Sequence, residues 1–194
     1  MTDELEVDEF STPLTEEELE DLILSYITLR RELNEAEQAN ILEAEEWAFR
    51  RKRDVLAERF LMDLHKKMFN RVWGWAGKFR QSEKTIGVDP IGIPVELRLL
   101  IDNCRYWIEN DTYSQDETAT RFHHRLVQIH PFTNGNGRLS RLSTDLLLTS
   151  LGTTRFSWGR INLVDVRTTR LAYIDALRAA DKHDIEPLLD FVRS

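Results

Sequence analysis

Apolar residues recur at helical spacing along most of the chain. Thr15-Glu16-Glu17-Glu18 has the form of a capping box, and Leu19, Leu22, Ile23, Tyr26 and Ile27 behind it share a face, which predicts a first helix running to about Arg31. Asn34-Glu35-Ala36-Glu37 repeats the cap pattern and opens a second helix with Ile41, Ala44 and Ala48 on one side. In a third, Leu56, Phe60, Leu64 and Met68 return every four residues, and His65-Lys66-Lys67 is expected to face solvent. Pro94 suits a first helical position, and the fourth helix it begins has Leu97, Leu100, Cys104, Trp107 and Ile108 as its inner stripe. Ser114-Gln115-Asp116-Glu117 caps a fifth, buried along Ala119, Phe122, Leu126 and Ile129. The spacing resumes at Leu139, Leu142 and Leu146 and stops at Gly152. A connector from Thr153 to Val164 leads to a helix marked by Leu171, Ile174 and Leu177, and Asp184 caps a last short one ending near Val192.

Residues 73–90 break this rhythm. Trp73-Gly74-Trp75-Ala76-Gly77 reads as a turn, and strand-forming residues from Lys78 to Val88 surround a polar tip, the pattern of a short β-hairpin. Residues 1–13 are acidic and aperiodic, which predicts an extended or poorly ordered arm. With no internal repeat and no low-complexity linker, the expectation is one all-α domain over residues 14–194 with a hairpin insert, its helices between 15 and 50 being candidates for regulation.

Composition narrows the function. The 194 residues, 41% hydrophobic and 31% charged, suit one folded domain with its own core. The chain has no apolar run of membrane-spanning length, and its first residues are acidic where a signal peptide is basic, so a cytoplasmic protein without membrane partners is expected. Its net charge of −8 argues against nonspecific nucleic-acid binding. Any anion site must then be built from local arginines. The single cysteine, Cys104, falls among apolar residues and reads as a buried structural thiol.

One stretch concentrates the chemistry: His130-Pro131-Phe132-Thr133-Asn134-Gly135-Asn136-Gly137-Arg138-Leu139-Ser140-Arg141. Pro131 ends the preceding apolar run, the glycines permit tight backbone, and helical spacing follows, so a loop feeds a helix N-terminus. Free N–H groups and the positive dipole end collect there, and glycines let an anion come close. Arg138 and Arg141 lie three apart on one face and can fork onto phosphate oxygens. His130 then stands as a base beside bound phosphate, placed to take a proton from an attacking hydroxyl. His123 is expected to be buried and hydrogen-bonded, and His124 to be a polar surface residue. No nearby Cys, Asp or Glu completes a zinc set around them.

The segment resembles the signature of the Fic domain family, H-P-F-x-(D/E)-G-N-G-R-x-x-R, with Asn134 where an acid is usual. Trp75 to Arg80 resembles a second family stretch, W-A-G-x-[YF]-R, which leads into a hairpin flap that clamps the target segment by strand addition. The resemblance implies transfer of AMP from Mg²⁺-bound ATP to a hydroxyl of a target protein. It makes His130 the general base and Phe132 the anchor of the loop. Gly135, Asn136 and Gly137 become the anion hole, Arg138 and Arg141 hold the distal phosphates, and Asn134 takes the Mg²⁺ position. Tyr173, in a Y-x-x-A-L stretch, lines the nucleotide base, and Thr85 and Ile86 lie in the target-binding flap. Many members also carry an inhibitory helix, (S/T)-x-x-x-E-(G/N), whose Glu pairs with the second arginine. Thr28-Leu29-Arg30-Arg31-Glu32 matches it up to Leu33, and Glu37 is the other candidate.

Alternatives stay open at this point. The related Doc toxins phosphorylate instead, whereas the intact Gly135-Asn136-Gly137-Arg138 favours nucleotidyl transfer. The neutral Asn134 leaves room for a nucleotide-binding or regulatory protein of the same fold. Self-modification and homo-oligomer formation are undetermined, and the resemblance extends to a Fic group of bacterial mobile elements.

Overall fold

The computed structural model describes residues 16–159 and 166–194. The expected arm over residues 1–13, and the end of the connector before Val164, lie outside them. Eight α-helices occur among the described residues: α1 (Glu16–Glu20), α2 (Arg30–Phe49), α3 (Glu58–Phe69), α4 (Ile93–Glu109), α5 (Gln115–Ile129), α6 (Asn136–Ser150), α7 (Val166–Ala180) and α8 (Glu186–Arg193). The fold is all-α, as the periodicity predicts.

Two of the predicted starts are set by side chains. Ser114 accepts the Glu117 N–H at 3.1 Å to open α5, and Asp89 accepts that of Ile91 at 2.8 Å to start the 3₁₀ turn before α4. The first helix departs from its predicted length. It was expected to reach about Arg31 but ends at Glu20, because the next backbone pairs with the turn after α3 instead. Leu22 bridges Trp73, Ile23 N–H reaches Val72 O at 2.9 Å, and Gly74 N–H reaches Asp21 O at 2.8 Å. The amphipathic spacing from Leu19 to Ile27 serves packing rather than a helix, with Ile27 buried. Accordingly α2 starts at Arg30, ahead of the expected Asn34, and Leu29 gives it no side-chain cap.

α5 and α6 form the central pair. On one side they bury Phe122, Leu126, Leu139 and Leu142 against α2, α3 and α4. On the other, Ala119 and Leu148 join a smaller cluster with Phe156, Ala176, Leu188 and Val192. The two helices that flank the joining loop are thus packed on both sides, and Phe132 of the loop itself lies in the larger cluster. Cys104 is fully buried on α4, and burial pushes its thiol up to about 12, so it serves packing.

Two further expectations fail for identifiable reasons. His65, expected at the surface, is wholly buried on α3, because this helix also presents Phe69 and Met68 toward the central pair. The expected β-hairpin is absent: among the described residues, 80–89 form a loop without paired strands. A side chain takes the acceptors a ladder would use. The Arg80 guanidinium bonds the carbonyls of Ser82 (2.8 Å) and Val88 and so closes the loop around itself.

Candidate active site

His130 terminates α5 in a left-handed conformation (φ 51°, ψ 59°), its N–H still bonded to Leu126 O at 3.2 Å. A non-glycine residue takes this conformation only when its surroundings impose it. Arg80 supplies much of the constraint. Its Nε donates to His130 O at 2.7 Å and its backbone N–H to Pro131 O at 3.0 Å, while the other arm of the guanidinium grips the flap loop. Phe79 pairs with Phe132 in an isolated antiparallel bridge. One buried cation thus joins this loop to His130. Burial, and then the Arg80 charge, hold the His130 imidazole down at about 4, against a hydrogen bond to the Val127 backbone; Lys84 lowers it further. At neutral pH the ring is an uncharged proton acceptor.

The following turn is fixed from inside. Asn136 accepts the Phe132 N–H at 2.9 Å and donates to the Phe132 carbonyl at 2.7 Å, so its amide closes the loop. Phe132 is fully buried and stacks on His65, ring centroids 3.8 Å apart and planes 5° apart. His65 accepts the Gly77 N–H on Nδ1 at 2.9 Å, which places its proton on Nε2, donating to Asn134 O at 3.0 Å. Burial holds His65 at about 3; the Asn134 bond opposes this and Arg138 adds to it. Gly135 (φ 79°) precedes α6, and a Cβ there would meet the Phe69 ring at 2.4 Å, so no other residue fits. Asn134 Oδ1 accepts the Gly135 N–H at 2.6 Å.

Two arginines rise from the first turns of α6. Arg138 lies over the Phe69 ring (4.7 Å) and pairs with Glu37 of α2 at 2.5 Å. The other Glu37 oxygen accepts from Trp73 Nε1 at 2.7 Å, and Glu37 is only 8% exposed. An N-terminal glutamate was expected on Arg141; it takes Arg138 instead. Glu32, the other candidate, lies more than a turn earlier on α2 and is half-buried. Arg141 faces α7, its guanidinium 5.7 Å from the Tyr173 ring centroid, and the Tyr173 side chain is the first group that favours its charge against burial. Tyr173 in turn bonds His123 Nε2 at 2.8 Å. Gly137 opens toward Arg141, and Thr85 and Ile86 are exposed on the flap loop.

Sequence reasoning gave no role to His65 or Arg80, and it left His123 as a generic buried histidine. The signal for Arg80 was its place in the Trp75 to Arg80 stretch. For His65 there was none, since α3 is amphipathic with or without it.

Residues 55–148 match the model of the Fic/DOC family. The chain carries a Fic/DOC family domain. Among curated Fic relatives, the "Protein adenylyltransferase Fic" of Aedes aegypti is 28% identical over 145 residues, covering 73% of this chain and 28% of that protein. Its counterpart in Drosophila melanogaster is 29% identical over 136 residues, covering 68% and 26%. The match thus spans about a quarter of these relatives. Among solved Fic structures, BepC of Bartonella tribocorum with bound AMPPNP is 20% identical with a TM-score of 0.67, covering 88% of this chain and 89% of that one. A Fic domain of Bartonella quintana with bound ADP, also 20% identical, gives 0.68 with 86% of each chain covered. These likenesses establish the fold.

Proposed function

We infer that this protein is a protein adenylyltransferase, moving AMP from ATP to a hydroxyl side chain of a target protein in the cytoplasm. The observation that carries the reading is a neutral, buried His130 at the start of the short loop that leads into a glycine-fronted helix N-terminus bearing Arg138 and Arg141. The names of the curated relatives and the nucleotides bound by the structural neighbours support it.

In this reading the triphosphate lies on the first turn of α6, where the unpaired N–H groups and the dipole favour an anion. Arg141, and Arg138 once it parts from Glu37, bind the distal phosphates. His130 takes the proton of the target hydroxyl as its oxygen attacks the α-phosphorus, and pyrophosphate leaves in line. Little of the catalysis is covalent; it consists of positioning and charge stabilisation. The target extends along the flap loop at Thr85 and Ile86 and so reaches the carbonyls that Arg80 ties to His130. Glu37 neutralises Arg138 in the free protein and is the inhibitory acid of the two candidates.

Asn134 fits a Mg²⁺ position only as one neutral oxygen, already shared with the Gly135 N–H. Magnesium, which neutralises phosphate charge when bound, would be held mainly by the nucleotide and water. ATP labelled at the α- or the γ-phosphate tests the function. Label entering protein from the α-position alone is expected. Label from γ alone means phosphoryl transfer, and neither label, under conditions where ATP binds, means a binding protein.

A further inference from the structure

Arg141 differs from Arg138 in what holds it. Its partner is a hydroxyl, and behind that hydroxyl stands a histidine buried to 0% exposure. Burial and then the Arg141 charge hold His123 at about 3, while the Ser140 backbone and His124 act on the ring more weakly, in opposite directions. His123 is therefore an uncharged ring at any physiological pH, able to accept one hydrogen bond and donate one.

We propose that Tyr173 and His123 form a neutral prop that aims Arg141 at the triphosphate without cancelling its charge, so that Tyr173 is a positioning residue and not a contact for the nucleotide base. The inference rests on the nucleotide reading above. A guanidinium can only donate, so the single proton of Tyr173 Oη goes to His123 Nε2, 2.8 Å away, and the ring keeps its own proton on Nδ1. The lone pairs of that oxygen are then turned to the Arg141 guanidinium, and the hydroxyl has no donor left for a ligand. The ring has little freedom to do otherwise. Phe191 packs against Tyr173 with centroids 5.5 Å apart, and Trp158 packs on His123 at 4.7 Å. Trp158 is itself fixed by a 3.0 Å bond from Nε1 to Asp145. A carboxylate in the place of Tyr173 would hold Arg141 equally well but would compete with phosphate for it, as Glu37 does for Arg138. A hydroxyl orients the fork and leaves its field intact.

Calorimetric titration of the full chain with Mg-ATP, tripolyphosphate and adenosine tests this. Tyr173→Phe keeps the ring and its packing. It is expected to weaken ATP and tripolyphosphate binding about tenfold, the loss of one hydrogen bond to a charged group, and to leave adenosine binding unchanged. In an Arg141→Ala background the same substitution should cost nothing further. His123→Gln, which retains an acceptor, should fall between the two. An equal loss for ATP and adenosine would show Tyr173 to be a base contact and overturn the proposal. So would a tenfold loss that persists without Arg141, or ATP and tripolyphosphate affinities unmoved by Tyr173→Phe. If the unaltered protein binds neither ATP nor tripolyphosphate, the nucleotide reading itself fails and the proposal goes with it.

Discussion

Arg138 and Arg141 stand one turn apart on α6, yet the two sides of the molecule hold them by different chemistry. On the α2–α3 side Arg138 meets the carboxylate of Glu37, from 101 residues away in sequence. On the α7 side Arg141 meets the hydroxyl of Tyr173. Behind each arginine lies a buried neutral histidine, His65 on the first side and His123 on the second, and each is lowered in part by its arginine. The difference teaches that the pair is not redundant. In the proposed reading Arg141 meets the phosphates directly, while Arg138 must first give up the acid that already satisfies it.

The largest effect comes from removing what both sides serve. His130→Ala should cut AMP transfer by about 10²–10⁴ and leave ATP affinity nearly unchanged, since a general base acts in the transition state. Label transfer retained in that variant would sink His130 as the base.

Acid should break both sides together. His65 and His123, at about 3, and His130, at about 4, are depressed in the folded state, whereas in the unfolded chain they titrate near 6.5. As pH falls below 6.5 the unfolded form takes up protons that the folded form refuses. Stability is therefore fully present above 6.5 and is lost as pH falls toward about 4. Three extra protons correspond to about 4 kcal/mol per pH unit in the steepest part of that window. A domain of ordinary stability, roughly 5–15 kcal/mol, should unfold within it. Urea melts across pH 7 to 4 check this; a flat midpoint would mean the three rings are not held neutral together.

The comparison also separates what the sequence revealed from what it hid. The twelve residues from His130 to Arg141 announced base, glycines and arginines, because that chemistry is local: a loop, a helix start and a fixed spacing. The helices from α3 to α8 were legible in their apolar period for the same reason. The partners of the arginines were not, since Glu37 and Tyr173 reach the loop from α2 and α7 through tertiary packing. The helix pattern that makes Glu37 a candidate applies equally to Glu32. Nor does any local signal tell that Arg80 would draw the flap carbonyls to its own side chain and leave no ladder to form, or that His65 would turn inward to carry Asn134.

Glu37→Gln tests the asymmetry directly. It removes the charge that neutralises Arg138 and keeps a group able to accept from Trp73. ATP should then bind about tenfold more tightly, on the scale of one charge-assisted hydrogen bond no longer competed for. This is opposite in sign to the expected effect of Tyr173→Phe, and Glu32→Gln should change nothing. Isothermal titration of the three variants decides; an equal response to Glu32→Gln and Glu37→Gln would make the effect one of net charge and not of the contact.

The smallest expected effect concerns Asn134, which lies between the two sides. Its carbonyl is held by His65 and its Oδ1 by the Gly135 N–H, so the residue has a turn role whatever else it does. Asn134→Asp preserves both bonds, because a carboxylate accepts the same N–H and Asp tolerates the same backbone. What it adds is a full negative charge on an oxygen with acceptor capacity to spare, and a hard cation such as Mg²⁺ gains from that charge. The neighbouring Arg138 and Arg141 would draw some of the same charge and shrink the gain. The Mg²⁺ concentration for half-maximal ATP binding should therefore fall by about threefold to tenfold, the lower part of the range for a charged over a neutral partner. Titrating Mg²⁺ at fixed ATP in both proteins measures it. If the two curves coincide, position 134 serves the turn alone, and the cation is held without help from this loop.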